Sequence, residues 1–249
     1  MTNELITAVL FDWDFTLAYT LSQQTTYDER TAIMFQRAGV ACTLQEIQQA
    51  RASQEIEIQK GVVNVPTHPQ RKEDFYLLYR DLLQRIGIKN ATSELIHEIY
   101  SEYARLPTYL YDDVLPALQK LQDCGFRLGI LSNHTTAVRT AMEQLVGQYI
   151  SPEHITISEE VGMHKPNPQI YQLAAQKINV LPERSIYVGD NLVVDAIGAV
   201  EHGGFAGGVW VNRKQIQPTH DFPIGVAQVS NLTEVVDLYE YDCAATQII

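Results

Sequence analysis

The stretch Phe11-Asp12-Trp13-Asp14-Phe15-Thr16-Leu17 places two carboxylates two positions apart, directly after an apolar run. That run, residues 7–11, has no polar alternation and is typical of a strand buried on both faces of a parallel sheet. Aspartate is depleted in strands, so the pair calls for a reason. Ligands of open parallel sheets bind at the carboxyl ends of the strands, and Asp12 and Asp14 are therefore candidate site residues. A strand that ends in an ordinary polar turn is the alternative interpretation of this stretch alone.

The second part of the chain alternates between helix-length segments and short apolar runs. The runs lie at residues 126–131, 154–157, 185–188 and 208–211. Strands separated by helices predict right-handed βαβ units and a parallel sheet, to which residues 7–11 add a strand. We therefore predict an α/β fold with a doubly wound, Rossmann-like parallel sheet.

Between these two parts the sequence has helical character only. Apolar residues at helical spacing predict helices at 27–38 and 44–59, a third that ends near Gly87, and a fourth at 93–105. Proline and glycine mark a loop at 61–69. We predict an all-α domain, residues 18–108, inserted into an α/β core domain of residues 1–17 and 109–249.

The composition of the chain limits the classes of binding partner that we expect. The chain has 249 residues and a formal net charge of −12, which argues against nucleic acid because phosphate backbones bind clustered Lys and Arg. No apolar run has the length of a membrane span, and the first residues lack a basic signal-peptide start, so we expect no membrane partner. The three widely spaced cysteines, Cys42, Cys124 and Cys243, are typical of a reducing cytoplasm.

Polar residues follow several of the predicted strands. Ser132 and Asn133 end the strand at 126–131, Asp190 and Asp195 follow the strand at 185–188, and Lys165 lies in a loop. Each alone fits a turn, a helix cap or a solvated side chain. Together, carboxylates suit Mg²⁺, Lys supplies a point charge for phosphate, and Ser beside a helix start can bind phosphate oxygens. The set favours a site for a divalent cation and a phosphate group.

In order and spacing, these segments resemble the four motifs of the haloacid dehalogenase-like (HAD) hydrolase superfamily. The matching segments are Asp12-Trp13-Asp14-Phe15-Thr16, Leu131-Ser132-Asn133, Lys165-Pro166-Asn167-Pro168 and Gly189-Asp190-Asn191-Leu192-Val193-Val194-Asp195. The resemblance covers the first strand and residues from about 112 to about 213. The inserted helices resemble the helical cap of the family's first class.

The resemblance implies a role for each position. Asp12 corresponds to the nucleophile, and Asp14 to the acid that protonates the leaving oxygen and then to the base for water. Ser132, Asn133 and Lys165 correspond to the residues that bind the phosphate.

A Mg²⁺ ion is implied at Asp12, at Asp190 and at the backbone carbonyl of Asp14. Thr16, Asn191 and Asp195 are implied as supporting residues around this centre. For Asp195, direct binding of the metal, binding through water and a contact with Lys165 all stay open.

The implied activity is Mg²⁺-dependent hydrolysis of a small phosphorylated metabolite through an aspartyl-phosphate, by a monomer or homodimer. A sugar phosphomutase keeps both acids and stays an alternative. So does a catalytically silent binding or regulatory module, favoured only by Phe15, which stands where the family usually has Gly. Dehalogenases lack an acid at the position of Asp14. A phosphonate hydrolase needs a cap lysine, and Lys60, Lys72 and Lys89 have no recognisable context for it.

Substrate specificity is expected from the cap. The candidates are Tyr19 and Thr20 after the first motif, and the loop 61–71 with His68, Arg71 and the adjacent Lys72. Each basic residue also fits a solvated surface.

Overall fold

The computed structural model describes residues 5–66 and 71–239. These residues form two compact units, one before Thr20 and after Thr108, the other Thr20–Thr108. His68 and the chain from Cys243 onward lie outside the described residues. No helix in the described ranges is long and apolar enough to cross a membrane.

The strands of the described residues are β1 (Ala8–Phe11), β2 (Ala18–Thr20), β3 (Thr108–Leu110), β4 (Arg127–Ser132), β5 (Ile155–Ile157), β6 (Ser185–Gly189), β7 (Gly207–Val211) and β8 (Val226–Val229). The first unit is built on a six-stranded parallel sheet with the strand order β5-β4-β1-β6-β7-β8. Strands β2 and β3 form a separate two-stranded sheet. The predicted α/β fold with a parallel sheet and inserted helices is confirmed.

The α-helices of the described residues are α1 (Tyr27–Arg37), α2 (Leu44–Gln59), α3 (Lys72–Arg85), α4 (Ser93–Glu102), α5 (Val114–Asp123), α6 (Arg139–Val146), α7 (Ser158–Val161), α8 (Pro168–Lys177), α9 (Gly198–Glu201) and α10 (Leu232–Leu238). The four helices α1 to α4 of the second unit lie close to the predicted ranges, and further helices lie in the first unit. Thr26 and Thr43 begin α1 and α2 with capping boxes, and Thr92 caps α4, so side-chain oxygens satisfy the first amides of these helices.

Strand β1 is central and fully buried, because its alternate residues enter two hydrophobic cores. Val9 and Phe11 pack in one core with residues of α5 and α10, whereas Ala8 and Leu10 pack in the other with residues of α8. Successive strand residues point to opposite faces. Helices therefore cover both faces of the sheet, as expected of a doubly wound fold.

The register of β1 brings the motifs to one level. Phe11 lies beside Ile130 of β4 on one side and Val188 of β6 on the other. The residues that follow in each strand, among them Asp12, Ser132 and Asp190, consequently reach the same carboxyl edge of the sheet. This is the edge at which open sheets bind ligands.

The second unit has a hydrophobic core of its own. Side chains from all four helices contribute to it, including Phe35 of α1, Ile47 of α2, Leu82 of α3 and Ile99 of α4. Burial of these faces accounts for the helical periodicity in this part of the sequence.

Two predicted details were wrong, and two elements were not predicted. The segment Ser158–Val161, expected as loop, is a short helix. The helix expected at 193–201 begins as a π-helical turn, Leu192–Ile197, before α9. Strand β8 and helix α10 were not predicted, because β8 is a half-buried edge strand without a continuous apolar run.

Gly208 allows a close approach between the sheet and the π-helical turn. A Cβ at this position would lie 2.0 Å from the carbonyl oxygen of Ala196. At the neighbouring Gly207, the nearest atom to a Cβ would be the Tyr239 hydroxyl at 3.0 Å, the end of a rotatable side chain. Of these two glycines, only Gly208 would therefore bring a Cβ into a clash with backbone, which cannot rotate away.

We expect Gly208→Ala to lower the free energy of unfolding by about 3 kcal/mol, because the new methyl group overpacks the sheet against the turn. Gly207→Ala in the same strand is the matched control and should cost about 1 kcal/mol. Urea denaturation of both variants measures the difference. Equal losses would show that the approach at Gly208 is not tight in solution.

Candidate active site

The Lys165 ammonium lies at the centre of the polar cluster. Its Nζ donates hydrogen bonds to Asp12 Oδ1 at 2.8 Å, to Asp195 Oδ1 at 2.7 Å and to the Tyr187 hydroxyl at 2.8 Å. An ammonium has three donors, so all of them are used. Lys165 thus ties together the end of β1, the middle of β6 and the π-helical turn.

Burial does not neutralise this lysine. Its side chain is only 2% exposed, and burial alone would lower its pKa. The attraction of Asp12 and Asp195 outweighs that effect and raises the pKa of Lys165 well above its usual value. The ammonium therefore stays charged at neutral pH.

Two further groups fix the position of Lys165. The Asn133 side chain accepts a hydrogen bond from the Lys165 amide at 2.7 Å and donates one to the Lys165 carbonyl at 2.9 Å. The Tyr187 hydroxyl in turn donates to the Leu131 carbonyl oxygen. Asn133 therefore acts on the lysine main chain in this structure, and its predicted contact with phosphate stays a prediction.

Asp195 is held from both sides of its carboxylate. Oδ1 accepts from Lys165, and Oδ2 accepts from the Asn191 amide at 2.9 Å. The π-helical turn places Asp195 back over its own start, where the Asn191 side chain caps the amides of Val193 and Val194. Gly189 leaves room for this arrangement, because a Cβ there would lie 2.3 Å from Asp195 Oδ2.

The carboxylate cluster fits a divalent cation. Oxygen atoms of Asp12, Asp190 and Asp195 all lie within 4.8 Å of one another. If all three carboxylates were ionised, they would exceed the charge of the single Lys165 ammonium by two negative charges in a largely buried place. Carboxylate oxygens are the ligands that Mg²⁺ prefers.

The pKa values reflect this excess charge. Burial raises the pKa of Asp12 to about 7, against the opposing attraction of Lys165. Burial, followed by repulsion from Asp195 and Asp12, raises the pKa of Asp190 well above its usual range. A divalent cation beside these groups would favour their ionised forms.

Within the cluster, Asp12 and Asp190 are the better ligands. Both oxygens of Asp195 are already engaged by Lys165 and Asn191. The main chain of Asp190 is fixed at its carbonyl oxygen, which accepts from Trp210 Nε1 at 2.8 Å. The structure contains the predicted contact of Asp195 with Lys165, and its binding to the metal, direct or through water, stays a prediction.

Asp14 occupies a different environment. Its side chain is 26% exposed, and its Oδ2 lies 3.6 Å from Nε2 of His134. The turn around it closes through bonds from the Leu17 and Ala18 amides to the Trp13 carbonyl oxygen and from the Phe15 amide to Ala18. Two carboxylates two residues apart therefore differ in burial and in partners.

The turn is held from a second side by Arg213. Its guanidinium donates to the Thr16 carbonyl oxygen at 2.8 Å and forms an ion pair with Asp113 at 3.0 Å. The Thr16 side chain is fully buried. Ser132, the last residue of β4, is also buried at the carboxyl edge.

Three positioning residues were missed by sequence reasoning. Tyr187 and Trp210 lie inside apolar strands, where they are typical of core residues, and Arg213 lies in a loop after β7. The sequence could have pointed to Tyr187 in one way. A buried tyrosine hydroxyl needs a hydrogen-bond partner, and Tyr187 lies in a strand that ends at the candidate site.

The predicted specificity residues of the helical unit have partners inside that unit. Arg71 forms an ion pair with Asp74 at 3.1 Å, and the Lys72 Nζ lies 5.4 Å from the centre of the Tyr76 ring. Tyr19 of the first unit packs against Tyr111 with the rings tilted by 59° and their centres 4.9 Å apart. Their predicted role in specificity stays a prediction.

The chain is similar in sequence to known hydrolases and phosphatases. The family model for haloacid dehalogenase-like hydrolases matches residues 6–203. A glyceraldehyde 3-phosphate phosphatase from Methanopyrus kandleri is 30% identical over 94% of this chain and 97% of its own. A phosphoserine phosphatase from Thermus thermophilus is 32% identical over 55% of this chain and 53% of its own. An (S)-2-haloacid dehalogenase from a Pseudomonas species is 29% identical over 66% of this chain and 67% of its own.

Solved structures share the fold. The HAD-hydrolase YfnB from Bacillus subtilis, bound to magnesium, gives a TM-score of 0.69 at 18% identity over 95% of this chain and 99% of its own. A 2-haloacid dehalogenase from Pseudomonas syringae gives 0.65 at 19% identity over 95% of this chain and 99% of its own.

The backbone conformation of Phe15 strains the turn between Trp13 and Ala18. Its φ of 59° lies in the left-handed region, which costs a residue with a Cβ about 1–2 kcal/mol. Phe15→Gly and Phe15→Ala both remove the ring, but only glycine relieves this strain. We expect the glycine variant to be more stable than the alanine variant by about 1 kcal/mol in urea denaturation. An alanine variant of equal or higher stability would contradict the strained turn.

Proposed function

Since this chain belongs to the haloacid dehalogenase-like hydrolase family, we propose that it is a Mg²⁺-dependent phosphomonoester hydrolase that acts on a small phosphorylated metabolite. The observation that carries the proposal is the pair of unlike carboxylates at the end of β1. Asp12 is buried and paired with Lys165 at 2.8 Å, whereas Asp14 is partly exposed and lies outside that ion pair. One is suited to attack and the other to exchange protons.

The proposed reaction has two steps. A carboxylate oxygen of Asp12 attacks phosphorus, the bond from phosphorus to the leaving oxygen breaks with its electron pair on that oxygen, and the proton of Asp14 passes to it. Water then attacks phosphorus while Asp14 takes its proton, and the bond from phosphorus to the Asp12 oxygen breaks. Inorganic phosphate leaves and both carboxyl groups return to their starting states.

Lys165 holds Asp12 and offsets negative charge near the transferring group. Ser132, which is buried at the same edge, would donate its hydroxyl to a phosphate oxygen. Mg²⁺, held by Asp12, Asp190 and the Asp14 carbonyl, would supply electrostatic stabilisation of the phosphate oxygens. The net charge of −12 makes such local compensation necessary for an anionic substrate.

Two named relatives act on small phosphate esters, glyceraldehyde 3-phosphate and phosphoserine. Their chemistry supports a small metabolite as the substrate class. Asp14 favours phosphate ester hydrolysis over the dehalogenation named for another relative, because halide leaves without a proton. The same proposal has two further parts. The helical unit acts as a cap that determines substrate specificity, and the protein is located in the cytoplasm.

Asp12→Asn should lower phosphate release by at least about 1,000-fold, because a neutral amide cannot attack phosphorus. Wild type and variant are compared on a panel of phosphate esters that includes glyceraldehyde 3-phosphate and phosphoserine, each with Mg²⁺ and with chelator. The panel also contains 2-chloropropionate, with halide release as the readout.

Phosphate release by wild type alone, and only with Mg²⁺, is the expected result. Near-normal release by Asp12→Asn would rule out the aspartyl-phosphate. Halide release without phosphate release would make the chain a dehalogenase, and release that needs an added sugar bisphosphate would favour the phosphomutase.

Asp190→Asn should raise the Mg²⁺ concentration that gives half-maximal activity by about tenfold or more, because one charged ligand is lost. Asp237→Asn makes the same substitution at an exposed position of α10 and should leave the Mg²⁺ dependence unchanged. Calorimetric titration of Mg²⁺ into each protein without substrate tests the site directly. Unchanged Mg²⁺ affinity of Asp190→Asn would remove Asp190 from the metal site.

A further inference from the structure

His134 lies beside the proposed proton-exchanging carboxylate. It is the second residue after the end of β4, and its side chain is only 10% exposed. The ring nitrogen Nε2 lies 3.6 Å from Asp14 Oδ2. None of the roles considered so far uses this histidine.

The local hydrogen bonds define which ring nitrogen carries the proton. The Thr135 amide donates to His134 Nδ1 at 2.7 Å, and the Thr135 carbonyl oxygen is farther from Nδ1, at 3.1 Å. An amide N–H can only donate, so Nδ1 offers its lone pair. The neutral imidazole therefore carries its proton on Nε2, the nitrogen that faces Asp14.

The main chain of His134 is fixed as well. Its amide donates to the Ser158 hydroxyl oxygen at 3.0 Å, and that hydroxyl lies 3.1 Å from the His134 carbonyl oxygen, which also accepts from the Glu159 amide at 3.3 Å. Helix α7, which begins at Ser158, thus anchors the residue from outside the catalytic cluster. The ring is held at its backbone and at Nδ1, and Nε2 is aimed at Asp14.

We propose that His134 is a positioning residue that donates its Nε2–H to Asp14 Oδ2 and so orients the other oxygen of Asp14 for proton exchange with the leaving group. The inference rests on the proposed function. The distance of 3.6 Å exceeds a formed hydrogen bond, and such contacts often tighten only when substrate is bound.

The test uses the dependence of kcat/KM on the leaving group, because this parameter covers the steps up to departure of the alcohol. Phosphate release is measured with Mg²⁺ for p-nitrophenyl phosphate, phenyl phosphate and an alkyl phosphate, in that order of increasing need for a proton. The variants are His134→Gln, whose amide nitrogen can replace Nε2, and His134→Asn and His134→Leu, which cannot place a donor there. His202→Gln, an exposed histidine beyond α9, is the matched control.

We expect His134→Asn and His134→Leu to lose about tenfold or more in kcat/KM for the alkyl ester and little for p-nitrophenyl phosphate. His134→Gln and His202→Gln should stay close to wild type on every ester. If His134→Leu does not fold, the comparison of Gln with Asn decides by itself.

Equal losses on all three esters would overturn the inference, because they would mark a structural or substrate-binding role. So would a Gln variant as impaired as the Asn variant, or no loss in any variant. A wild type that hydrolyses neither these esters nor those of the metabolite panel would instead refute the proposed function itself.

Discussion

The buried ion pair of Lys165 with two carboxylates is the interaction on which the rest of the site depends. Removing one partner of such a pair leaves an uncompensated buried charge and typically costs about 3–5 kcal/mol. The partners come from three separate places, β1, the loop after α7 and the π-helical turn after β6. The pair can therefore form only when the sheet has its native strand order, and it couples the chemistry of the site to the fold.

Neighbouring residues hold the charged side chains of this cluster in place. Asn133 fixes the main chain of Lys165, the Tyr187 hydroxyl accepts the third hydrogen bond of its ammonium, and Gly189 leaves the space that the Asp195 carboxylate fills. Carboxylates nevertheless outnumber the lysine. Without a cation, the cluster costs desolvation energy and its carboxylates repel one another. A divalent cation would relieve this repulsion, and the relief would contribute part of its binding free energy.

Sequence reasoning reached the parts of this arrangement that leave a local pattern. Apolar runs predicted the strands of the parallel sheet because β1 and β6 are buried on both faces, and helical periodicity predicted the inserted helices. Asp12, Asp190 and Asp195 could be predicted as neighbours from parallel topology, whereas Lys165 lies in a loop and its role came from the resemblance to the family. Tyr187 could not, because its role arises from a hydroxyl that meets residues distant in sequence. The π-helical turn also leaves no period of its own, and it decides where Asp195 points.

The proposed division of labour between Asp12 and Asp14 follows from the turn between them. Asp12 continues the direction of β1, since its amide still bonds to Val188 of β6, and so it remains inside the sheet edge beside Lys165. The chain then closes into the turn at Trp13–Ala18, which lifts Asp14 out of the ion-paired cluster and toward the segment after β4 that carries His134. Of these two identical side chains, Asp12 thus lies beside the Lys165 ammonium and Asp14 beside the His134 ring. Environment rather than residue type assigns such carboxylates their roles, and here a turn that includes a left-handed Phe15 creates both environments.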